Sequence, residues 1–145
     1  MDLLDNNLFI DKKIVGKNFF DENYFLFFET FDFVHQLKLK GKKLFTIKEI
    51  KFKHFGSSSL PKKYENLVKK TRSFHYNWSK FYFLKKNFGY LHAINKVFPN
   101  VIRGVKKIII NTLKLNFKEV YLNLLELYGL IISIFLLKSF YRPKN

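Results

Sequence analysis

At 145 residues the chain is long enough for one domain with a real core, and 19 Phe and 8 Tyr supply abundant apolar material for it. The absence of cysteine excludes a disulfide framework, a thiolate zinc site and a cysteine nucleophile. A net charge of +16 points toward anionic partners, yet only three of the 27 basic residues are Arg, the side chain that forks onto phosphates and base edges. The composition therefore favours attraction to an anionic membrane surface over a nucleic-acid role.

The first residues, Met1 to Asn6, are acidic and carry no apolar h-region, so they do not read as a signal peptide. Residues up to about 41 are dense in aromatics and end in a helical stretch. There Asp21, Phe25, Phe28, Phe31 or Asp32, and Leu37 recur at a loose three-to-four spacing, and Gly41 after Lys38 and Lys40 is a natural stop. Residues 43–54 predict a strand, because Phe45 and Ile47, then Ile50 and Phe52, alternate with polar neighbours. That segment runs into His54-Phe55-Gly56-Ser57-Ser58-Ser59, a small-residue loop before Pro61.

From Lys62 onward the period becomes helical. Phe74, Trp78, Phe81, Tyr82 and Lys85 continue a stripe begun at Tyr64, and it ends at Gly89. A short helix over 90–98 is expected to stop before Pro99, with two more helices over about 100–115 and 118–140. The apolar run from Leu127 to Leu137 falls well short of the roughly 20 residues that span a bilayer. The expected fold is therefore α/β in residues 1–60, followed by an α-helical extension over 61–145.

Two constellations could carry chemistry. Glu29 and Asp32 lie three apart in an aromatic run, which places both on one face of a helix, where carboxylates can serve as a general base. Taken alone, the same pair also suits a surface helix dipole. His54 sits at a strand end entering a glycine-serine loop, a common place for a ligand. His35, His75 and His92 read as structural or surface residues, and the Lys doublets as solvated faces. No Gly-rich phosphate loop, paired-His zinc spacing, Gly-x-Ser-x-Gly or Asp-x-Asp motif is present.

Read in order, Phe20-Asp21-Glu22-Asn23-Tyr24-Phe25-Leu26-Phe27-Phe28-Glu29-Thr30-Phe31-Asp32-Phe33, then Leu37, Gly41, Lys43-Leu44 and His54-Phe55-Gly56-Ser57-Ser58, resembles the second half of family 2 glycosyltransferases, especially rhamnosyltransferase-like members. The stretches 72–89 and 129–143 are similar, more loosely, to the helices these enzymes carry after the catalytic core. The resemblance implies the C-terminal, acceptor-side portion of a GT-A Rossmann-like domain. It implies inverting transfer of a sugar from a nucleotide-sugar to a cell-surface glycan or lipid-linked acceptor, on the cytoplasmic side and peripheral to the inner face of the membrane.

By the same resemblance, Glu29 and Asp32 would deprotonate the acceptor hydroxyl and His54 would help hold a divalent metal, Mn or Mg. Gly56, Ser57 and Ser58 would line the donor diphosphate. Two departures stand out. Thr30 occupies a position where the family has Asp or Asn, and the nucleotide-binding half with its Asp-x-Asp ligands is not among these residues. The expectation is thus a fragment or split half that needs a donor-binding partner, encoded upstream, and no nucleic acid. A non-catalytic protein- or membrane-interaction module and a basic nucleic-acid-binding protein are the alternatives.

Overall fold

The structure, a computed structural model, describes residues 8–15, 20–45, 47, 49–50 and 61–142. Its elements are a single helical turn α1 (Lys12–Val15), then α2 (Glu29–Leu39), α3 (Glu65–Phe88), α4 (Tyr90–Leu113) and α5 (Phe117–Ile134), with a 3-10 turn at Lys62–Tyr64 leading into α3. The α/β expectation is therefore corrected: among the described residues every regular element is helical. Of the expected strand, residues 46, 48 and 51–54 lie outside the described ones, and the rest shows why. Phe45, Ile47 and Ile50 are 82%, 52% and 48% exposed, and no described neighbour offers a ladder for their backbone groups. Alternation specifies a strand only where there is a sheet to join and a core to face.

Helices α3, α4 and α5 form an up-down-up bundle. Gly89 makes the first turn alone, at φ 91° and ψ 160°, a region essentially reserved for glycine. Its N–H donates to the Lys85 carbonyl at 3.0 Å, and its own carbonyl accepts from Ala93 at 3.1 Å, so no connecting loop is needed. The second turn ends at Asn116, whose side chain caps α5 by accepting from the Glu119 N–H.

The core follows the helical stripe of α3. Phe81, Ala93, Val97 and Leu130 cluster where the three helices meet, and Phe74, Trp78 and Ile132 form a second cluster between α3 and α5. Parallel α3 and α5 approach very closely, because Gly129 lies directly against the Phe74 backbone.

Pro99 does not end a helix as expected: α4 runs through it. A proline removes one backbone donor and leaves one carbonyl a turn earlier without its bond. Pro99 is exposed, so water can reach that carbonyl, while buried Ala93, Val97 and Gly104 hold both flanks of α4 in the core. At the other end, α5 stops at Ile134 rather than near 140. The Leu137 N–H reaches back to the Ile132 carbonyl and Leu136 takes φ 62°, after which residues 137–142 run back across α3. Trp78 donates to the Leu137 carbonyl at 3.0 Å and His75 to that of Tyr141 at 2.8 Å, fastening this strap. Among the described residues no helix is long and apolar enough to cross a membrane.

Candidate functional site

The aromatic run that carries Glu29 and Asp32 is laid along the first half of the bundle. Phe25 packs on His75, Phe27 and Phe28 on Tyr76, and Phe28 also on Phe83, while the Ser79 hydroxyl donates to the Leu26 carbonyl at 2.7 Å. Phe27 and Phe28 adopt φ 67° and 64°, a left-handed conformation unfavourable to bulky side chains. This pair of residues turns the chain sharply into α2, so that Glu29 and Asp32 both fall in its first turn. At the far end Gly41 (φ 68°) closes α2 with a Schellman arrangement, Lys42 bonding to Leu37 and Gly41 to Lys38.

The two predicted carboxylates have different environments. Asp32 is 2% exposed, and both of its oxygens accept hydrogen bonds, Oδ2 from Lys86 at 2.6 Å and Oδ1 from Asn87 at 2.8 Å. Glu29 is half-buried, and its Oε2 is enclosed with no hydrogen-bond partner among the described residues. The Tyr24 hydroxyl is the other enclosed polar side-chain atom without a partner there. Burial, and then the charges of Asp32, Asp21, Tyr82 and Glu29, push the ionisation of Tyr24 far above the ordinary phenol range, so it stays a neutral donor.

Lys86 organises the cluster. Its ammonium bridges Asp32 and Asp21, the latter at 2.7 Å, and lies 6.0 Å from the centre of the Tyr24 ring. Burial opposes its charge, but the two carboxylates outweigh that and hold its pKa above the usual lysine value. Asp21 is also fixed by Tyr82 at 3.0 Å and by the backbone and side chain of Asn23 at 2.9 and 2.8 Å. Burial raises its pKa, yet the bonds from Lys86, Asn23 and Tyr82 prevail and bring it to about 2. Asn87 extends the network by accepting from Gln36 at 2.8 Å.

Because the folded-state pKa of Asp21 is depressed below its ordinary 3.8, the stabilisation it provides is complete above that value and is lost as pH falls toward 2. Urea midpoints measured against pH should therefore show wild type well above Asp21→Asn at neutral pH. The two curves should converge in acid; parallel curves would remove this assignment.

The sequence singles out Glu29 and Asp32 as candidates but reads Lys86 as part of a solvated doublet, and it gives Asp21, Tyr24 and Asn87 no individual role. The only local signal was that Tyr82 and Lys86 are four apart on α3 and share a face. His75 is structural, as its context suggested: it is fully buried, with Nδ1 accepting from Ser139 at 2.7 Å and Nε2 bonded to the strap. Burial, before the charge of Arg142, lowers its pKa, so the ring is neutral near pH 7.

His54, Gly56, Ser57 and Ser58 lie outside the described residues. Among the described ones no group of three or more His, Asp or Glu side chains is placed to hold a metal ion. Asp21 and Asp32 do not fit that purpose either, since they already share one ammonium. Alongside the cluster runs an open groove of about 410 Å³ between the aromatic segment and the strap, with Tyr24, Trp78 and Tyr82 on its walls and Lys85, Lys138 and Arg142 around it. No protein-family profile, curated protein or solved structure matches the chain.

Proposed function

We propose that the chain provides the acceptor side of an inverting sugar transfer from a nucleotide-sugar to a cell-surface glycan or lipid-linked acceptor, working with a unit that binds the sugar nucleotide. One observation carries this reading. Of the two carboxylates in the acidic motif, Asp32 is saturated by Lys86 and Asn87, whereas Glu29 keeps an unpartnered oxygen in the same cluster as an unpartnered Tyr24 hydroxyl. The resemblance of residues 19–59 to family 2 glycosyltransferases supports it.

In this reading Glu29 accepts the proton of the acceptor hydroxyl as the acceptor oxygen bonds to the anomeric carbon from the face opposite the diphosphate. The bond from that carbon to the diphosphate oxygen breaks, and the nucleoside diphosphate leaves with the electron pair. Asp32, Asp21 and Lys86 do not touch the acceptor; they hold the first turn of α2 against α3. Tyr24 is a hydrogen-bond donor available to Glu29 or to the acceptor. No step is assigned to a divalent metal, for which the described residues offer no ligand set. The work takes place on the cytoplasmic side, with the chain held peripherally at the membrane.

The test is to assay transfer from several sugar nucleotides, with Mn²⁺ or Mg²⁺, using the chain alone, the product of its upstream reading frame alone, and the two together. Transfer by the combination only, abolished by Glu29→Gln, is expected. Transfer by the isolated chain, or none by the combination, overturns the proposal.

A further inference from the structure

On α4 and α5 most of the exposed apolar residues form one stripe each, with Tyr90 and Ile110 lying off the α4 stripe. On α4, Leu91, Phe98, Ile102, Val105, Ile109 and Leu113 recur at seven-, four- and three-residue steps and are between 44% and 79% exposed. On α5, Phe117, Tyr121, Leu124, Tyr128, Ile131 and Phe135 recur at alternating steps of four and three and are between 43% and 72% exposed. At about 100° per residue each set is a continuous stripe.

The two stripes share a side. Where α3 meets the other helices, a cleft is lined by Tyr76, Asn77 and Lys80 of α3, by Arg103 and Lys107 of α4, and by Glu126 of α5. On α4, Ile109 lies nearly half a turn round from Lys107, and on α5, Leu124 and Tyr128 lie about half a turn round from Glu126. Both stripes therefore face away from that cleft.

Charge identifies the occupant. No acidic residue occurs between Glu65 and Glu119, so α4 has none, and the acidic residues of α5, Glu119 and Glu126, lie on the cleft side, where Glu126 faces Lys107 at 3.8 Å. The rim of the α4 stripe is basic, with Lys106 one turn from both Ile102 and Ile109 on the helix surface. A second copy set against this face would bring two chains of +16 together, which electrostatic repulsion disfavours. A surface rich in anionic headgroups over hydrocarbon satisfies both the cations and the apolar stripe.

We infer that the outward face of α4 and α5 is an interfacial membrane-docking surface, which seats its apolar stripes at the headgroup–acyl boundary of an anionic bilayer with Lys106 on the phosphates. It rests on the peripheral location proposed above and not on the transfer chemistry, so it is read by binding alone.

The full chain is mixed with phosphatidylcholine vesicles or with vesicles of an equimolar phosphatidylcholine–phosphatidylglycerol mixture, and flotation measures the bound fraction. Binding to the anionic vesicles at least about tenfold tighter than to the neutral ones is expected, weakening as salt rises. The double variant Ile102→Asn/Ile109→Asn, whose exposed positions leave the helical circular-dichroism melt unchanged, should lose about tenfold or more on anionic vesicles. Lys106→Gln should weaken anionic binding only. Equal binding to both vesicle types, undiminished binding by the isoleucine variant, or a dimer in solution that this variant dissociates would each overturn the inference.

Discussion

Gly129→Ala is expected to destabilise the bundle by about 3 kcal/mol, the upper end for overpacking, and to lower the melting temperature by about 10 °C. A Cβ at Gly129 would sit 2.2 Å from the Phe74 carbonyl oxygen and 2.9 Å from its carbonyl carbon. These are backbone atoms in the middle of α3, so no rotamer change relieves the clash and the two helices must separate. Separation would loosen Phe74, Trp78 and Ile132 together and stretch the bond from the Ser133 hydroxyl to the Trp78 carbonyl, now 3.0 Å. Gly104→Ala is the internal comparison. Its Cβ would meet the Leu127 side chain, at 2.6 Å from Cδ2, and that side chain can rotate. A thermal melt that ranks Gly104→Ala as the more damaging change would refute this description of the helix contacts.

Lys86→Met is expected to cost about 3 kcal/mol at pH 7. Breaking a buried ion pair by removing one partner strands the other charge, and the lower part of the usual range applies because the Lys86 side chain keeps 30% of its exposure. Here two carboxylates are stranded, Asp32 with a side chain only 4% exposed and Asp21 with one 16% exposed. The deficit should shrink in acid, because Asp21, whose pKa Lys86 helps to depress, loses its charge there. Adding Asp32→Asn to the Met variant should recover part of the loss at pH 7. Chemical denaturation of the single and double variants at neutral and acidic pH measures all three effects. A deficit that does not change with pH would show that Lys86 acts through its methylene packing and not its charge.

What was legible in the sequence was what local physics determines. The stripe from Tyr64 to Lys85 and the stops at Gly41 and Gly89 depend on residues within a turn or two of one another, and α2 and α3 end where those glycines predict. The described residues of the segment 43–54 are not in a strand, because a strand exists only through partners distant in sequence. Pro99 was overread as a terminator: the local penalty of one missing donor is smaller than the burial of the residues on either side. The strap after Ile134 depends on Trp78 and His75, roughly sixty residues away, to take its carbonyls, so the apolar run alone read as continued helix.

The candidate site was half legible for the same reason. Glu29 and Asp32 are conspicuous as acids in an aromatic run, but what separates their roles is Lys86 and Asn87, more than fifty residues further along the chain. Nothing in local spacing indicates that Asp32 is saturated and Glu29 is not.

The central claim is that Glu29, and not Asp32, takes the acceptor proton. It is tested most directly by single-turnover sugar transfer in the combination of this chain with the donor-binding unit proposed above, comparing Glu29→Gln with Asp32→Asn after thermal melts establish that both variants are folded. Glu29→Gln is expected to lower the rate by about 100-fold or more, the usual contribution of a positioned general base, while its melting temperature is little changed. Asp32→Asn should mainly lower the melting temperature and leave a folded fraction that still transfers. Undiminished transfer by Glu29→Gln, with transfer abolished in well-folded Asp32→Asn, would contradict it.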